Sequence, residues 1–91
     1  MGKVPKVSHH AIERYAEEYP EEGWDLSDDN QRRQLASVII GLWSASRVAP
    51  KPSHPGQTDY LYYPPTRTMC PETQIVVKGL EPTIVTIFKI R

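Results

Sequence analysis

The chain has one cysteine, one phenylalanine, five glycines, no net charge and no long apolar run. Each shortage excludes something. Cys70 alone cannot form a disulfide within the chain or a Cys-x-x-Cys metal site, and it fits a reducing, cytoplasmic setting. No segment approaches the roughly 20 apolar residues of a membrane-spanning helix, and no basic-then-apolar leader opens the chain. The reading is therefore of a cytoplasmic protein with no membrane contact. Met1-Gly2 begins like a myristoylation signal, but Lys6 stands where Ser or Thr is required. The lack of a basic surplus withholds the broad positive field that draws proteins to nucleic acid.

Proline, by contrast, is abundant, with nine residues among 91. A chain of this length makes one domain and buries roughly 60–70% of the surface its unfolded form exposes. We read residues 1–91 as a single domain, with 1–7 as an N-terminal tail and 47–58 as a proline-rich surface loop. The neutral total hides an asymmetry. Residues 1–30 hold three basic and eight acidic side chains, and residues 31–91 hold eight basic and three acidic. This distribution implies one acidic and one basic face.

Ser8 precedes a helical run and is suited to cap it, because its hydroxyl accepts from an otherwise unpaired N–H. Ala11, Ile12, Tyr15, Ala16 and Tyr19 follow on one stripe, and Pro20 and Gly23 stop the helix. Glu17, Glu18, Glu21 and Glu22 sit toward its C-terminus, where the helix dipole disfavours negative charge. A second helix is expected from about residue 28 to 46, capped by Ser27 or Asp28. Leu35, Val38, Ile39, Leu42 and Trp43 form its apolar face. Pro50, Pro52 and Pro55 forbid a helix after it. Strand-like runs follow at Asp59–Tyr63, Gln74–Lys78 and Thr83–Ile90, with links short enough for an antiparallel meander. The expected fold is α+β, with two N-terminal helices packed on a three- or four-stranded antiparallel sheet.

His10 and Arg14 lie four residues apart and share a helix face roughly opposite the apolar stripe. They carry the strongest chemical hint in the chain. His9 and His10 diverge by about 100° around the helix and have no completing ligand pattern, so no metal site is expected. On the first of these expected strands Tyr60 and Tyr62 alternate to one face, and Leu61 and Tyr63 to the other. Their rings suit either packing or base stacking. On the last strand strict alternation places Thr86 with Ile84, Phe88 and Ile90, and Val85 with Ile87 and Lys89. Both faces are apolar, so that strand is expected at the centre of the sheet, covered on both sides.

The order "SHHAIERYAEE", amphipathic helix, "DYLYYPP", "QIVVKG", "TIVTIFKIR" resembles the barnase–EndoU–colicin–RelE superfamily of metal-independent ribonucleases. It is most similar to the small toxin-like members that open with a His-Ala-x-x-Arg helix and close with a Val-Thr-hydrophobic strand. The resemblance covers about residues 7–90. It implies catalytic roles for His10, Arg14, Thr86 and Tyr62, and binding roles for His9, Tyr60 and Lys89. It implies no cofactor, an RNA substrate, and a protein partner of the antitoxin or immunity type. The mechanism it implies is acid–base transphosphorylation. His10 would act as base, Arg14 would stabilise the phosphorane oxygens and Thr86 would hold a phosphate oxygen. Tyr62 would stack a base or assist the leaving group. His9, His54 or Tyr60 would supply the second proton-transfer group.

Two other classes fit the same residues. One is a small non-enzymatic interaction protein, phage or mobile-element encoded, that inhibits a host or defence protein through the acidic segment 13–29. The other is an RNA-binding module without catalysis.

Overall fold

The structure is a computed structural model that describes residues 4–50, 54–66 and 69–90. Strand β1 (Lys6–Val7) leads into helix α1 (His9–Glu18). A single 3₁₀ turn (Pro20–Glu22) and helix α2 (Asp29–Ala45) follow. Strands β2 (Arg47–Val48), β3 (Gln57–Tyr62), β4 (Thr73–Lys78) and β5 (Thr83–Lys89) complete the chain. The sheet order is β1-β5-β4-β3-β2.

The α+β class and the two helices are as expected, but the sheet has five strands and is mixed. β2 to β5 form the antiparallel meander, and β1 adds to β5 in parallel, with Lys6 opposite Thr83 and Val7 opposite Ile84. Both additions are two residues long, too short to carry a period-two pattern. Part of the expected tail is thereby a strand, and both ends of the expected 47–58 loop enter the sheet. Residues 1–3 of that tail and 51–53 of that loop lie outside the described residues.

The local signals act as their chemistry dictates. Ser8 caps α1, accepting from the Ala11 N–H at 3.1 Å, and Asp28 caps α2, accepting from the Asn30 N–H at 2.9 Å. Gly23 closes the 3₁₀ turn at φ 69°, a left-handed conformation that costs glycine least.

Both helices cover the same face of the sheet. Ala11, Leu35, Ile39, Ile75, Ile84 and Ile87 are fully buried at its centre, with Ile12, Tyr15, Tyr19 and Val77 beside them. Val38, expected in this core, is exposed instead. The buried face of α2 is turned toward Ala36 and Trp43, which leaves Val38 on the outer flank. Leu42 and Trp43 pack against the core without being engulfed. No helix or strand among the described residues covers the opposite face of the sheet.

β5 departs from simple alternation. Val77 pairs with Ile84 but Val76 pairs with Thr86, so Val85 is an extra residue in a β-bulge. Ile84 and Ile87 consequently both face the helices. Val85 and Thr86 both turn to the open face, in line with Phe88. Thr86 is therefore separated from Ile84, and Val85 from Ile87, contrary to the alternating pattern. The expectation that β5 is covered on both sides is also corrected: it lies inside the sheet, but helices cover one face only.

Candidate functional site

The residues singled out in the sequence are distributed over distinct places. His10 is exposed at the start of α1. Arg14, one turn on, is engaged by its own helix, 3.2 Å from Glu17 and 3.9 Å from Glu18. Glu18 also accepts the Lys89 backbone N–H at 2.9 Å, which ties the end of α1 to β5. His9 turns toward α2, where its Nδ1 lies 3.0 Å from Arg32 Nη2. The other Arg32 nitrogen donates to the Leu26 carbonyl, so this guanidinium is held at both ends.

Tyr60 and Tyr62 both point to the helix side. Tyr60 meets Trp43 edge-on, ring centres 5.8 Å apart. Tyr62 stands opposite Thr73 in the ladder and joins Tyr15 and Tyr19 near the end of α1. Lys89 lies over the Tyr19 ring at 4.9 Å and 3.9 Å from Glu21. Thr86 alone of the predicted set is on the open face. The sheet separates it from His10, Arg14 and Tyr62, so these four side chains do not surround one volume.

What Thr86 does line is a groove of about 310 Å³ on the open face. Val76, Val85 and Phe88 form its apolar floor, and His54, Gln57, Gln74, Lys78 and Thr86 supply its polar groups. The ladder explains the grouping. Gln74, Val76 and Lys78 alternate along β4, and Gln57 pairs with Lys78, Gln74 with Phe88 and Val76 with Thr86. His54 comes from the turn before β3. Gln57 is oriented from beside the groove, its Nε2 donating at 2.8 Å to Asp59, which is buried on the same face opposite Val76. The lining thus combines an imidazole, an ammonium, a hydroxyl, two amides and one aromatic ring, with the buried Asp59 carboxylate next to it.

Sequence reasoning placed Thr86 among the site residues and kept His54 as an alternative, but missed Gln57, Gln74 and Lys78. Period two in "QIVVK" already puts Gln74 and Lys78 on one face. What it cannot show is that this face is the uncovered one.

A different chemistry occupies the C-terminal end of α1. Tyr15 and Tyr19 stack at 4.6 Å. The Tyr15 hydroxyl donates to both oxygens of Glu22, at 2.9 and 3.1 Å, and the Trp24 indole N–H donates to the same carboxylate at 2.8 Å. Burial, reinforced by the bond to Glu22 and its charge, pushes the Tyr15 phenol well above its ordinary pKa. Burial raises Tyr19 too, against the opposing effect of its short hydroxyl–hydroxyl bond to Thr73. Asp25 is held below the usual carboxylate range by the hydroxyl and N–H of Ser27.

No group of His, Cys, Asp or Glu able to hold a metal is present among the described residues, and no described helix is long and apolar enough to cross a membrane. No protein-family profile, curated protein or solved structure matches the chain.

Proposed function

We propose that the open-face groove binds RNA and that the protein is a metal-independent endoribonuclease acting there. The observation that carries this reading is the composition of the groove: His54, Lys78 and Thr86 share it with two amides and Phe88, and the neighbouring Asp59 carboxylate is buried and accepts from Gln57. Phe88 offers a stacking face to a base. Gln57 and Gln74 offer donors and acceptors to base edges. The reading keeps the reaction that the family resemblance implies and relocates its centre, because His10 and Arg14 stand on the other side of the sheet.

The chemistry is transphosphorylation. His54 takes the proton of a ribose 2′-hydroxyl, and the 2′-oxygen attacks the adjacent phosphorus. The bond from phosphorus to the 5′-oxygen breaks, and that oxygen takes a proton from water, which the open groove admits. The products are a 2′,3′-cyclic phosphate and a 5′-hydroxyl. Lys78 offsets charge on the non-bridging oxygens, and Thr86 donates a hydrogen bond to one of them.

Incubation of the protein with RNA in excess chelator tests this. The expected result is cleavage with cyclic phosphate ends that His54→Ala reduces by roughly 10²–10⁴-fold and His10→Ala leaves unchanged. The reverse pattern would overturn the assignment to the groove. RNA bound in the groove but left uncut would leave a binding module without catalysis.

A further inference from the structure

The pocket at the C-terminal end of α1 has a composition opposite to that of the open-face groove. Three phenol rings, Tyr15, Tyr19 and Tyr62, enclose with Glu22 and Glu72 a cavity of about 170 Å³. Neither carboxylate forms an ion pair with a described Lys or Arg. Lys89 is used outside the pocket, on the Tyr19 ring and Glu21. The walls are also fixed in advance. Tyr15 and Trp24 both donate to Glu22, and Tyr19 is joined to Thr73. A ligand entering such a site does not have to order it, which removes one of the usual costs of binding.

Aromatic faces attract cations through the ring quadrupole, and a carboxylate beside them adds charge and directed acceptors. A planar guanidinium uses both features, stacking on a ring while its fork of N–H groups meets carboxylate oxygens. We infer that this pocket receives the side chain of an arginine from a protein partner. Lys89 shows the same attraction within the chain, an ammonium seated on a tyrosine ring next to a glutamate. The exposed carboxylates of Glu17, Glu21 and Asp25 border this end of the molecule and favour a basic segment around that arginine. The inference is independent of the open-face groove, which lies on the other side of the sheet.

The full chain is titrated with N-acetyl-arginine amide at constant ionic strength, and the tyrosine rings and the Trp24 indole N–H are followed by NMR. N-acetyl-citrulline amide, the uncharged analogue, and N-acetyl-lysine amide serve as comparisons. The expected result is a saturable shift at Tyr62 and Trp24 with the arginine compound, at least tenfold weaker with citrulline and weaker with lysine. Glu72→Gln should weaken arginine binding about tenfold with the rest of the spectrum preserved, and Glu13→Gln, an exposed carboxylate midway along α1, should not. No saturable shift, equal binding of citrulline, or indifference to Glu72→Gln would overturn the inference. Lysine binding as tightly as arginine would overturn its assignment to a guanidinium. If Glu72→Gln disturbs the fold, Tyr62→Leu replaces it, with the same expected loss.

Discussion

The two faces of the sheet divide the work of the molecule. The covered face is built from Ile75, Val77, Ile84 and Ile87 under two helices, and its centre is sealed from solvent. The open face presents Gln57, Gln74, Lys78, Thr86 and Phe88 and has no second layer among the described residues. The same three strands supply both. The main apolar core is thus on one side and the polar groove on the other, and adjacent residues of one strand enter different surroundings.

The pair Ile87 and Thr86 tests the division most sharply. Ile87→Ala should cost about 2–5 kcal/mol, the range for deleting a fully buried aliphatic side chain. Thr86→Ala should change stability by only about 0.5 kcal/mol, and should weaken the RNA cleavage proposed for the groove. Chemical denaturation of both variants measures the contrast, and equal losses of stability would break it.

Ser8 links the two faces, so its removal should have an intermediate effect. It caps α1, and its hydroxyl also donates to the carbonyl of the bulged Val85 at 3.4 Å. Ser8→Ala should cost about 0.5–2 kcal/mol, read as a shift of the unfolding midpoint. Ser8→Asp should recover much of it, because a carboxylate also caps a helix.

The phenols on the covered side give that face a pH dependence. Tyr15 and Tyr19 have raised pKa values in the folded protein. Below the ordinary phenol value of about 10 both folded and unfolded chains keep these protons, and the stabilisation is fully present. Above it the unfolded chain loses them first, so stability falls as pH rises toward the folded values. Denaturation measured at increasing alkaline pH should show this decline, and Tyr15→Phe should flatten it. The smallest effect belongs to Val38, where Val38→Ser should stay within about 0.5 kcal/mol, against a loss of several times that for Leu35→Ala.

Much of the scaffold was legible because local physics governs it. The Ser8 and Asp28 caps, the stop at Pro20–Gly23, and the buried Leu35 and Ile39 follow from hydrogen-bonding capacity and helical period. β3, β4 and β5 follow from period two. The site was less legible because it depends on three facts that no local pattern contains. The bulge at Val85 changes the phase of β5, so Thr86 and Ile84 part company. The helices choose one face of the sheet, and both faces of β5 are apolar enough to accept them. Short strands such as Lys6–Val7 exist only because a partner strand is there to receive them. The expected grouping of His10 and Arg14 with Thr86 required the first two facts and had neither.

The parallel pairing of Lys6–Val7 with Thr83–Ile84 has a consequence for synthesis. β5 is the strand against which both β1 and α1 pack, and it is made after every other described element. While residues 83–89 are still being added, the apolar stripe of α1 has α2 to pack on but lacks its main partner, β5. Contacts of such long sequence separation also slow closure after release. Ala11, Ile12 and Tyr15 therefore gain their full burial only once β5 has joined the sheet.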